Sequence, residues 1–88
     1  MRTNDEWIGA LRGDGDAQAA ALHELRGILV RAARFALQRR LGRVGSLDVD
    51  QLAEDCAQNA LMAILDRLAD FRGDSRFTTW AYKFAINM

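Results

Sequence analysis

The sequence predicts an all-α protein: a small helical bundle of three main helices plus a short N-terminal helix. Three observations carry this. The 88 residues contain no proline. Helix-favouring Ala, Leu, Arg and Gln are abundant. Apolar residues recur at steps of three and four, and no Val/Ile/Thr alternation of strand length appears. A chain of this length makes one domain at most, residues 1–88, with a modest core.

Asn4 or Thr3 is placed to cap a first helix whose apolar side is Trp7, Ile8 and Leu11, and Gly13-Asp14-Gly15-Asp16 breaks it. With Asp16 as its expected cap, a long second helix follows on the stripe Ala21, Leu25, Ile28, Leu29, Ala32 and Ala36, to about Leu41. Gly27 is a soft point in it, costing about 1 kcal/mol of helix propensity against Ala where exposed. Gly42 and Gly45 flank a basic turn. Ser46 or Asp48 then starts a third helix, running to about Leu68, with Ala53, Ala57, Ala60, Leu61, Ile64 and Leu68 on its inner face. Small residues there allow close helix approach. Phe71 to Ser75 reads as a loop before a fourth helix that begins near Arg76.

Composition removes several classes of function. No charged start followed by an apolar run marks a secretory leader, and no apolar stretch approaches membrane-spanning length, so the expected location is cytoplasmic, with no membrane partner. One cysteine, Cys56, excludes an internal disulfide. With the lone His23 it does not make up the usual ligand count of a metal site, so no cofactor is expected. Gly13 to Asp16 faintly resembles a calcium loop, but Ala17 to Ala21 supplies almost none of the further oxygen ligands such a loop needs. No nucleophile, base and orienting group come together, and no phosphate-cradling Gly loop is present, which argues against an enzyme. Cys56, beside the Ala-rich face, reads as a small apolar residue.

A net charge of zero conceals segregation. Arg26, Arg31, Arg34, Arg39, Arg40 and Arg43 share a stretch without an acid. Asp48 to Asp70 holds six acids against Arg67 alone. Either two surfaces serve different partners, or adjacent antiparallel helices complement each other.

The stretch from Phe71 to Asn87 is the most informative. Phe77, Trp80, Ala81, Phe84, Ala85 and Met88 line one helix face suited to burial, while Thr79, Lys83, Ile86 and Asn87 fall on the other, with Tyr82 and Thr78 at its margin. Asp74 or Ser75 is placed to cap the first turn, and Gly73 gives the loop its backbone freedom. Functional weight therefore falls on Phe71, Arg72, Thr79, Tyr82, Lys83 and Asn87. On the third helix Gln51, Asp55, Gln58, Met62 and Asp66 form a polar stripe opposite the core, with one exposed methionine in it. By itself such a stripe usually means a solvated face.

Phe71-Arg72-Gly73-Asp74-Ser75 followed by Phe77-Thr78-Thr79-Trp80-Ala81-Tyr82-Lys83-Phe84-Ala85-Ile86-Asn87 resembles region 2 of bacterial RNA polymerase sigma factors, closest to the extracytoplasmic function group of the sigma-70 type. Glu54-Asp55-Cys56-Ala57-Gln58-Asn59-Ala60-Leu61 is similar to the family's Asp-x-x-Gln-Glu-x-Phe helix, which docks on the clamp helices of the polymerase largest subunit. Asn59 stands where Glu is usual and Leu61 where Phe is usual. Weaker likeness extends through Asp5-Glu6-Trp7-Ile8, Gly13-Asp14 and Ala20 to Leu25.

The resemblance implies a transcription initiation module that binds RNA polymerase core through Gln51, Asp55, Gln58, Asn59, Met62 and Asp66. It also implies capture of the nontemplate single strand of the promoter minus-ten element, with Phe71, Arg72 and Asn87 around a flipped base and Thr79, Tyr82 and Lys83 nearby. An anti-sigma factor is a further partner it admits. Lys83 and Phe84 occupy the places of paired tryptophan-type residues in primary sigma factors, which implies stricter dependence on promoter sequence. The chain stops at Met88 inside the last helix, so the resemblance implies an N-terminal fragment of a longer two-domain protein. The alternative is a degenerate sigma-like domain that binds protein only, which the neutral charge and Asn59 favour and the intact loop opposes.

Overall fold

The computed structural model describes residues 1–41 and 46–87, so the basic turn expected between Gly42 and Gly45, and Met88, lie outside the described residues. The described residues form four α-helices in chain order: α1, Asn4–Arg12; α2, Gly15–Leu41; α3, Ser46–Asp66; and α4, Phe77–Ile86. A 3-10 turn, Leu68–Asp70, lies between the last two. The expected all-α bundle is thus the fold. No helix among the described residues is long and apolar enough to cross a membrane.

Thr3 caps α1 through a capping box. Its hydroxyl accepts from the Glu6 N–H at 3.1 Å, and the Glu6 carboxylate accepts from the Thr3 N–H at 2.8 Å. The Thr3 backbone bond and then its side chain hold the Glu6 carboxyl below its ordinary range. Because the folded value is the lower one, this contribution is present above the ordinary carboxylate pKa and lost as pH falls through the lowered one.

Gly15 opens α2 at φ +66°, a left-handed conformation that favours glycine. Asp16, expected as the cap, falls inside the first turn, where its charge complements the helix dipole. The helix then runs unbroken through Gly27 for 27 residues.

α2 is central, packing against α1, α3 and α4. Its buried residues are Ala21, Leu25, Leu29, Ala32 and Ala33, with Ile28 only half-buried. From α3 come Val49, Ala53, Ala57, Ala60, Leu61 and Ile64, and the 3-10 turn adds Leu68. Three fully covered alanines on α3 bring its backbone close to the bundle, as the small-residue face predicts. The third helix ends at Asp66, earlier than expected, because the chain tightens into a turn at Arg67 that still buries Leu68.

The segregated charge resolves in part into the expected complementarity of adjacent helices. Arg26 pairs with Glu54 and donates to the Gln58 Oε1 at 3.1 Å, and Arg34 meets Asp50 at 2.9 Å, so one row of α2 arginines complements α3. Both pairs are exposed and add little to stability, about 0–1 kcal/mol each. Arg31, Arg39 and Arg40 have no carboxylate within ion-pair distance among the described residues.

Candidate nucleic-acid and protein interfaces

The loop before α4 is held from the opposite end of the sequence. The Asn4 side-chain amide donates to the Ser75 carbonyl at 2.9 Å, and its oxygen accepts from the Phe77 N–H at 2.8 Å. This corrects the expected cap: neither Asp74 nor Ser75 caps α4. Arg76 occupies the cap position without a side-chain bond, and an α1 residue satisfies the orphan donor instead. Gly73, at φ +80°, makes the bend before it. Replacing Gly73 by any residue with a Cβ therefore strains the loop, although the space around it is open.

Phe77 is the anchor. It is fully buried, stacked on Trp7 with ring centres 5.4 Å apart, and met edge-on by Phe71 at 5.5 Å. Phe71 in turn lies 5.3 Å from Trp80, which lies 4.9 Å from Phe84. Phe77, Ala81 and Ala85 are buried as expected, but Trp80 and Phe84 are only half-buried. They sit on the flank of α4, where Trp80 is met by Phe71, Phe77 and Phe84 and both rings stay partly open to solvent. Phe71, Trp80 and Phe84 therefore make a partly open aromatic row rather than a closed core.

Thr79, Lys83 and Asn87 are exposed and repeat every four residues along the outer side of α4. Arg72 is exposed beside Phe71 and Gly73 and lines, with Thr3, Asp5, Ile8 and Arg12, a cleft of about 550 Å³ between α1 and the loop. Asn87 follows the last turn of α4. It is on the same flank as Trp80 but seven residues on, about 10 Å of helix rise. Phe71 and Arg72 line the cleft against α1, and among the described residues no side-chain hydrogen bond or shared pocket joins either of them to Asn87. Tyr82 is half-buried on the opposite flank, toward α2.

Gln51, Asp55, Gln58, Asn59, Met62 and Asp66 are all exposed on the side of α3 away from the core. The Gln51 amide donates to Asp55 at 3.1 Å, which orders the upper part of the stripe. Met62 is 58% exposed, Leu65 is exposed one turn on, and Leu52 is exposed nearer the start of the helix, about 15 Å of rise away. Those two leucines were missed in the sequence, yet both fall outside the inner α3 stripe, which is a legible signal. Asn4 left no comparable mark. Cys56 is half-buried and unpaired.

The bundle so built has a partly open aromatic helix carrying Lys83 on one side and an acidic helix with an exposed methionine on another. The sigma-70 region 2 model matches residues 29–88, and the chain belongs to that family of transcription initiation factors. It is 37% identical over 65 residues to the RNA polymerase sigma-H factor of Pseudomonas aeruginosa, an alignment covering 74% of this chain and 26% of that relative. The chain thus spans about a quarter of the length of the relative it matches. No solved structure matches the chain.

Proposed function

We propose that this domain docks on RNA polymerase core and captures the nontemplate strand of the promoter minus-ten element. The observation that carries the reading is the exposed row Thr79, Lys83 and Asn87 running beside the half-open rings of Phe71, Trp80 and Phe84. Single strands are held by aromatic stacking and cationic grooves, at about 1–3 kcal/mol per stacked base. An unpaired base rests against Phe71 with its phosphates near Arg72 and Lys83, and Asn87 offers a donor and an acceptor to a base edge. No bond is made or broken; opening is driven by binding.

The test is open-complex formation by the full-length protein with core enzyme, on promoters varied one base at a time. Asn87→Ala is expected to alter discrimination at a single position, and Lys83→Ala to weaken all promoters and reduce the salt slope by about one. Equal losses on every promoter for Asn87→Ala would remove Asn87 from base reading.

Docking on the clamp helices of the polymerase largest subunit is assigned to Gln51, Asp55, Gln58, Asn59, Met62 and Asp66, now with the exposed Leu65 beside Met62 and the exposed Leu52 nearer Gln51 and Asp55. A protein interface wants an apolar centre and a polar rim, and this face has both. Charge reversal at Asp55 with Gln58→Ala is expected to weaken binding to isolated clamp helices by more than about tenfold. The thermal melt should barely move, since both residues are exposed. Undiminished affinity would mean the docking face lies elsewhere.

A further inference from the structure

The second row of α2 arginines ends in a groove that the α4 strand path does not use. Phe35 is 55% exposed, with the Arg39 guanidinium 5.7 Å from its ring centre. Across from it are Tyr82 and Ile86 of α4, and with Ala36 and Arg40 these residues enclose a groove of about 350 Å³. That is near the lower bound of ordinary ligand sites. Arg40 is fixed at its edge by donating to the Ile86 carbonyl at 3.1 Å, which places a cation at the C-terminal end of α4.

A single exposed phenylalanine is ordinary. This one differs in its surroundings. It has a guanidinium over the ring, a second aromatic across the groove, and no carboxylate among the groove's lining residues. Arg26 and Arg34 of the same helix spend their charge on α3, whereas Arg39 and Arg40 do not. An aromatic face framed by two guanidinium groups that meet no carboxylate among the described residues matches a nucleobase with its adjoining phosphate. It does not match an acidic or purely apolar segment, neither of which uses both the ring face and paired cations.

We propose that the groove between the C-terminal half of α2 and the last turns of α4 is a second stacking subsite for single-stranded DNA. One base packs on Phe35 and Tyr82, and Arg39 and Arg40 meet its phosphates. The subsite rests on the α4 strand-binding reading above and extends it across the helix, from the flank of Phe71 and Trp80 to that of Tyr82.

The test titrates a fluorescently labelled single-stranded oligodeoxynucleotide with this chain and follows anisotropy over a range of salt. Phe35→Ala is expected to weaken binding about tenfold, and Phe35→Trp to restore it. Phe35→Leu, which keeps apolar area but loses the π face, should bind like the alanine variant. Arg39→Ala should lower the salt slope by about one. Circular dichroism should be unchanged for each, since the replaced side chains are exposed. If Lys83→Ala weakens the strand while Phe35→Ala does not, the subsite is overturned and the α4 reading stands. Sensitivity to Arg39 but not Phe35, or equal affinity for the corresponding duplex, reduces the groove to a phosphate contact and also overturns it. If the wild-type chain binds no strand, the subsite is overturned, and the α4 reading is decided by open-complex formation with core enzyme.

Discussion

Phe77→Ala is expected to remove about 3–5 kcal/mol of folding stability, the range for truncating a fully buried phenylalanine. The ring is 0% exposed and contacts Trp7, Phe71 and Trp80, so it joins α1, the loop and α4 in one cluster. Its loss leaves a cavity at the junction of three elements, where collapse from one side cannot fill it. Small domains carry about 5–15 kcal/mol in total. A fifth or more of that is therefore at stake in one side chain. Urea denaturation should show a lower midpoint with an unchanged slope. Trp80→Ala is the control, and as a half-exposed residue it should cost clearly less. A Phe77→Ala loss below about 1 kcal/mol would show that the cluster is not the keystone described.

Periodicity located the helices because each buries one face, and it failed where burial depends on what lies opposite. Ala33 and Val49 fell outside the expected stripes. For α2 the reason is that it is packed by three helices, so its covered arc is wider than one stripe. Trp80 and Phe84 carry the right spacing for a core but lie on a flank of α4 that is only partly covered. Spacing marks apolar residues without saying whether a neighbour reaches them. The two rows of arginines were legible in principle: Arg26 and Arg34 are eight apart, as are Arg31 and Arg39, and the rows lie on different faces of α2. Which row meets α3 depends on how the helices are rotated, and the spacing is silent on that. For the candidate interfaces, the exposed positions on α3 and α4 were readable. The offset between Phe71 and Asn87 along α4 was not, because it depends on where the loop folds back.

Asn4→Ala is expected to cost about 1–2 kcal/mol, comparable to losing a helix cap, but its more informative effect is on the loop. The side chain spans α1 and the start of α4 with two hydrogen bonds across more than seventy residues of sequence, so no local pattern announces it. Without it the Phe77 N–H loses its acceptor and the Ser75 carbonyl its donor in a part-buried place. Asn4→Asp separates the two bonds: it keeps an acceptor for Phe77 but sets a carboxylate against the Ser75 carbonyl, so it should fall between wild type and Ala in acid and approach Ala once ionised. Thr3→Ala removes the α1 cap alone and serves as the comparison. Amide exchange at Phe77 should accelerate in Asn4→Ala and stay protected in Thr3→Ala, provided both remain folded. Equal exchange in the two variants would mean that α1 stabilises the bundle generally and does not position the loop. The consequence for strand capture follows from placement, since the same loop carries Phe71 and Arg72. Loosening it from α1 should weaken the proposed single-strand binding in Asn4→Ala while leaving the proposed polymerase docking on α3 intact.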